Sequence, residues 1–356
     1  MRILAFCNYD IGEIHKYWLE EDGNSPSQHM WGCVELEEKG HSVDYLEFEK
    51  YRSLKWVSNK LKLLGDLDLQ FRALRRAKDF DVIYCSHQPT VAVLALLRRL
   101  KLLRTPIVAL GYQSPRSNSA LYRFWVRTFV RGLDKLLCLS DDMQRDLIAL
   151  GARVDIMQQI RWGVTLQHYS PMEWQNVDVP RFISVGKSFR DYQCLVDGFP
   201  FDRAHLTIMS AGQDLSVDLP ASATGRIEIR DDWIEWTEYV AILPTFDGLL
   251  LPIDVTSANT NNAIGLTALT EAFAAGIPVI ASDNPYIGID LEAENVGNWV
   301  PTGDASAWEA TITKYVENRD LSAQRGDNAR AFAEERLNIR VFADELESAL
   351  IEVTNL

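Results

Sequence analysis

Short apolar runs of strand length alternate with helical stretches along this chain, and the alternation breaks only once. In the first half, residues 2–6, 42–46, 81–85, 106–110 and 135–139 read as buried strands. Residues 27–39, 51–78, 90–103 and 121–131 read as helices, with Gly40 as a stop and Ser140 as an N-cap. In the second half, residues 182–185, 206–209, 227–229, 248–253 and 278–281 are strand-like, and 329–353 is an amphipathic helical stretch broken near Leu337 and Asn338. This order demands a parallel sheet covered by helices on both faces. The break, GVTLQHYSPMEWQNVDVP from Gly163 to Pro180, has two prolines and no period, and reads as a linker. The predicted fold class is α/β, with two Rossmann-like doubly wound parallel-sheet domains facing a cleft. Ligands in such sheets sit at the carboxyl ends of the strands. The boundaries fall at 1–165, a linker 166–180, 181–330, and terminal helices 331–356.

A chain of 356 residues, 47% hydrophobic, is long enough for two cores. The net charge of −14 argues against a nucleic-acid partner. Yet residues 52–132 hold 16 Lys and Arg against Asp66, Asp68, Asp79 and Asp81, a local excess of +12. A basic region in an acidic chain attracts anions. Arg116, Arg123, Arg127 and Arg131 fall near helical spacing, interleaved with Phe124, Trp125 and Phe129, and Trp56 lies among Arg52, Lys55, Lys60 and Lys62. That mixture suits an anionic membrane surface as a peripheral partner. No run approaches the roughly 18 apolar residues of a membrane span, and the first residues lack the pattern of a signal peptide. Five scattered cysteines without a CxxC pair read as reduced thiols. Together these features predict a cytoplasmic protein, peripheral on the cytoplasmic membrane face, with no metal site.

Two stretches have the chemistry of a nucleotide-diphosphate site. In NNAIGLTALTEAFAAGIPVIAS, from Asn261 to Ser282, Gly265 opens a helix. The amides of Gly265, Leu266 and Thr267 then face outward at a positive dipole end that suits phosphate. Glu271, four residues beyond Thr267, lies on the same helix face and can accept two hydrogen bonds from a ribose diol. In the other stretch a buried strand ends at Gly186, followed by Lys187 and Arg190, two cations placed to reach a pyrophosphate.

The run GLTALTEAFAAGIPVIASD, followed by VGNWVPTGD, resembles the C-terminal signature of retaining glycosyltransferases of the GT-B fold, the large family-four-like group also called glycosyl transferases group 1. Gly186 and Lys187 resemble the family's glycine–basic loop, and RWGVT through Tyr169-Ser170-Pro171 its interdomain element. Ser27 to Val43, with Gly40-His41, resembles its first helix and second strand. The resemblance implies an acceptor-binding first domain, a donor-binding second domain and terminal helices that cross back to the first. It implies that Glu271 binds ribose, that Lys187 and Arg190 neutralise the donor diphosphate, and that the base lies near Trp233. His87, in His87-Gln88-Pro89, corresponds to a histidine facing the cleft. On the acceptor side Tyr112 or Gly111 takes the slot of the usual cleft histidine, and the polar loop through Ser25 lies nearby. The first of the family's paired glutamates is Ala263 here, with Asn261 or Asn262 as candidate replacements, and the linker aspartate is Thr165.

The resemblance implies a hexosyltransferase-type enzyme (EC 2.4). It would move a sugar with retention from a nucleotide-diphosphate sugar to a glycan or lipid-linked acceptor, in cell-surface polysaccharide or glycolipid synthesis, without a metal cofactor. A nucleotide-sugar 2-epimerase shares the fold but needs cleft carboxylates and histidines that this sequence lacks. A non-catalytic nucleotide-sugar-binding protein is the other alternative.

Overall fold

The computed structural model describes residues 1–115, 119–174, 178–210, 212, 215–256 and 260–355. Arg116 of the basic cluster and residues 175–177 of the expected linker lie outside the described residues.

The chain divides into two compact units. The first comprises Met1–Gly163, Thr260–Asn262 and Ile339–Leu356; the second comprises Val164–Asn259 and Ala263–Asn338. Each is built on a six-stranded sheet whose paired strands all run parallel.

In the first sheet the order is Ser42–Tyr45, Arg2–Phe6, Val82–Cys85, Ile107–Gly111, Lys135–Cys138, Met157–Gln159. The inner strands Val82–Cys85 and Ile107–Gly111 are apolar and buried on both faces, as a doubly covered sheet requires. The expected helix at 27–39 is instead a short turn, Gln28–Met30, and a helix, Cys33–Glu38. Trp31 (φ 54°) and Gly32 (φ 79°) separate them. A helix at Ile11–Glu20, capped by the Asp10 carboxylate on the Glu13 amide, occupies what reads in sequence as a polar loop. The basic stretch 51–78 divides into Arg52–Lys60, Lys62–Leu64, Leu67–Arg76 and Ala77–Asp79. The last helix, Ile339–Thr354, buries Phe342, Leu346 and Leu350 in this unit. Lys39 pairs with Asp344 and Glu347, His41 with Glu347 at 2.7 Å, and Lys135 with Glu352 at 2.5 Å. A two-stranded antiparallel ladder joins Thr260–Asn262 to Gln113–Pro115.

In the second sheet the order is Ile227–Arg230, His205–Met209, Arg181–Val185, Gly248–Leu251, Val279–Ser282, Gly297–Val300. One of its cores gathers Phe182, Phe199, Phe201, Leu206, Trp308 and Tyr315.

All five cysteines are buried free thiols. Among the described residues no helix is long and apolar enough to cross a membrane.

Candidate functional site

Strands Arg181–Val185 and Gly248–Leu251 lie side by side, and the strand order reverses between them. Such a switch point leaves a crevice beyond the carboxyl ends of the two strands. Beyond the first strand, Gly186 adopts φ +106°. Its N–H donates to the Met209 carbonyl at 3.0 Å, and its own carbonyl accepts from the Tyr192 hydroxyl. A Cβ here would stand 2.7 Å from Nη2 of Arg190. Glycine therefore lets the guanidinium fold back over the loop. Arg190 donates from Nε to Val185 O at 3.0 Å and from Nη1 to Ser188 O at 2.9 Å. Burial lowers its pKa, though an arginine stays charged. Arg190 braces the loop from within, whereas Lys187 is exposed and has no ion-pair partner among the described residues.

The loop is stitched to the segment that follows the second strand. The Asp191 amide donates to Pro252 O at 2.8 Å, and the Asp254 amide to Phe189 O at 2.9 Å. Arg190 and Ile253 form an antiparallel bridge. On the other side of Ile253 stands Gly265, at φ +91°, the N-cap of helix Leu266–Ala274. A Cβ on Gly265 would lie 2.5 Å from Cδ1 of Ile253. The Asn284 side-chain amide donates to Ile264 O at 3.2 Å and holds the approach to the helix. Thus the Lys187/Arg190 turn and the start of the Glu271 helix converge on Ile253. One expectation needs correction. The Leu266 amide does not face outward, because it donates to Ala263 O at 3.1 Å in the turn that opens the helix. The amides of Thr267 and Ala268, next along, meet no acceptor among the described residues.

Further along this helix, Glu271 is half-buried. The Tyr169 hydroxyl donates to its Oε1 at 3.2 Å, and the Tyr169 carbonyl accepts from Arg330 at 2.9 Å. The buried Tyr239 hydroxyl makes no hydrogen bond of standard geometry. Burial, and after it the Glu271 charge, raise its pKa well above the ordinary value. Tyr169 stands in the Tyr169-Ser170-Pro171 run that reads in sequence only as linker, and no sequence signal marks Tyr239. Trp236 meets His168 edge-on at 5.2 Å between ring centroids. Trp233, in the loop before helix Trp236–Ile242, is 71% exposed and takes no part in the core.

The first unit has its own switch point, between strands Arg2–Phe6 and Val82–Cys85. His87 follows the second of these, with Nδ1 2.9 Å from Thr90 Oγ1. Burial lowers its pKa to about 4, so the imidazole is neutral at neutral pH. The Tyr112 amide donates to Gln88 Oε1 at 3.1 Å, and its ring lies 6.2 Å from that of His87. The structure thus brings His87 and Tyr112 together. Ser25 is buried, not presented to solvent. Asn261, a candidate replacement for the missing glutamate, donates instead to Asp146 Oδ2 at 2.8 Å within the first unit. Among the described residues no group of three or more His, Cys, Asp or Glu could hold a metal ion.

Two family models match this chain. The glycosyl transferase 4-like domain matches residues 26–161, and glycosyl transferases group 1 matches residues 255–332. Together they take in more than half of the chain, and the chain belongs to the group 1 glycosyltransferases of the GT-B fold. It is a transferase, an enzyme of sugar transfer from a nucleotide sugar. No curated protein matches it in sequence. Solved structures share its fold at low identity. Sucrose-phosphate synthase from Thermosynechococcus elongatus superposes with a TM-score of 0.72 at 15% identity over 99% of each chain. HepE from Anabaena, in complex with UDP, gives 0.65 at 15% identity over 99% of this chain and 100% of that one. WaaG, a glycosyltransferase of lipopolysaccharide biosynthesis, gives 0.59 at 12% identity over 99% of each.

Proposed function

We propose that the second unit binds a nucleoside-diphosphate sugar and that the sugar passes, with retention at the anomeric carbon, to a glycan or lipid-linked acceptor held by the first. The product class would be cell-surface polysaccharide or glycolipid. The observation that supports this best is the convergence of the Gly186 loop and the Gly265 helix start on Ile253. HepE structures hold UDP and UDP-glucose, which favours a uridine donor.

As the bond from the anomeric carbon to the β-phosphate oxygen breaks, negative charge grows on the phosphate and positive charge on the sugar. Lys187 and the Thr267 and Ala268 amides stabilise the first charge. Arg190 adds its fixed charge and holds the loop. Glu271 accepts from the ribose diol, and Trp233 stacks on the base. On the retained face a phosphate oxygen itself takes the acceptor proton, so no side-chain base is required. His87, neutral and beside Tyr112, contacts acceptor or sugar hydroxyls. These fixed positive groups do the work that a bound metal does elsewhere, and no metal cofactor is proposed.

Incubation with a panel of nucleotide sugars, UDP-glucose among them, tests the reading. Transfer or slow donor hydrolysis that persists in EDTA is expected. Lys187→Ala should lower kcat by roughly 10²–10³ while leaving the fold intact. Exchange at the sugar C2 would point to an epimerase, and tight binding without turnover to a binding protein. Either result would overturn this proposal.

A further inference from the structure

The helix Ala120–Val130 already buries one apolar face, Val126, Phe129 and Val130. Its opposite face is also apolar: Leu121 is 74% and Phe124 67% exposed. Arg123 and Arg127 stand exposed beside them. The core has no use for this second face. It continues onto the loop Lys62–Leu64, because the Trp125 indole donates to the Leu63 carbonyl at 2.5 Å. Leu61 and Leu63 are exposed there, and Trp56, on the preceding helix, is 64% exposed under the Lys60 ammonium.

Within residues 52–132, Lys55, Arg72, Arg76 and Arg98 have carboxylate partners. The other described basic residues of this stretch, including Lys60, Lys62, Arg123 and Arg127, form no ion pair among the described residues. The local positive charge is therefore not neutralised from within. The chain just past this loop reaches the candidate acceptor site, since the amide of Asp66, the N-cap of helix Leu67–Arg76, donates to the Thr90 carbonyl at 3.2 Å, in the turn that holds His87.

We propose that this face, formed by helices Arg52–Lys60 and Ala120–Val130 and the loop Lys62–Leu64, docks the first unit on an anionic lipid bilayer. Leucine, tryptophan and phenylalanine tips among cations match the boundary between acyl chains and acidic headgroups. A second copy of this chain would present the same positive face, and like charges oppose that pairing. The proposal deepens the sugar-transfer reading by selecting a lipid-linked acceptor, and for that part it rests on that reading.

Sedimentation of the full chain with phosphatidylcholine vesicles, with and without phosphatidylglycerol, tests it. Binding is expected only with the anionic lipid, and release by high salt. The double substitution Leu121→Glu and Phe124→Glu should weaken partitioning at least about tenfold. Arg123→Gln with Arg127→Gln should weaken it by about fivefold per residue. All these positions are exposed, so each variant should keep its melting temperature and its thermal-shift response to UDP. No binding to anionic vesicles, equal binding to neutral ones, or undiminished binding by folded variants overturns the docking proposal. Vesicle binding by a chain that neither binds nor turns over any nucleotide sugar would leave docking standing and remove the sugar-transfer reading.

Discussion

The Tyr169 hydroxyl donates to Oε1 of Glu271 across 3.2 Å. Tyr169 is itself fixed, because Arg330 holds its carbonyl and its ring is buried. The carboxylate proposed to accept a ribose diol is thus oriented before any nucleotide arrives. Such preorganisation lowers the ordering cost of binding.

Glu271→Ala removes a charged acceptor whose hydrogen bonds are worth about 1.5–3 kcal/mol. UDP affinity should fall by roughly 10- to 100-fold. Tyr169→Phe should weaken UDP several-fold by freeing the carboxylate, with little change in stability. Titration calorimetry of both variants checks this; an unchanged Kd for Glu271→Ala would remove the glutamate from the site.

Gly186→Ala combines an unfavourable φ of +106° with a methyl group 2.7 Å from Arg190 Nη2. The guanidinium must move off Val185 O, and the brace on the loop is lost. The expected destabilisation is about 1–3 kcal/mol. Urea unfolding of the variant measures it, and a midpoint equal to the parent's would show that the loop tolerates a side chain.

His87 supplies a pH test. Burial lowers its pKa to about 4 in the folded protein, against an ordinary value of 6.5. Between those values the unfolded chain binds a proton that the folded chain refuses. Stability is therefore unaffected by this group above pH 6.5 and is lost as the pH falls toward 4. Relative to His87→Gln, the parent should lose up to about 3 kcal/mol across that window. Urea melts of both proteins at neutral and acid pH decide the matter; parallel losses would show that His87 titrates normally.

The sequence discloses what depends on local periodicity. Five strands of each sheet and the Ser140 cap stand close to where alternation and capping chemistry put them, whereas the edge strands Met157–Gln159 and Gly297–Val300 were not anticipated. Gly186, Lys187, Gly265 and Glu271 stand out in the sequence as candidates because glycine, cation and carboxylate sit next to strand ends and helix starts. What escaped the sequence depends on long-range contact. The Leu266 amide is consumed by a turn back to Ala263. Tyr169, 102 residues from Glu271, reaches it only through the fold. Arg190 reads as a ligand cation, but its partners are the carbonyls of its own loop. Asn261 lies amid second-unit sequence yet pairs with Ser114 of the first unit. The break at Trp31 and Gly32 also went unseen, since amphipathic spacing continues through it.

Helix Ile339–Thr354 closes the core of the unit that begins at Met1, with Phe342 and Leu346 packed at Gly32. Domains generally fold as they leave the ribosome, earliest residues first. Here the sheet of residues 2–159 gains its helix Ile339–Thr354 from a stretch of chain that follows the whole of the second unit in sequence. Trimming this helix should therefore destabilise the sheet of residues 2–159 rather than that of residues 181–300.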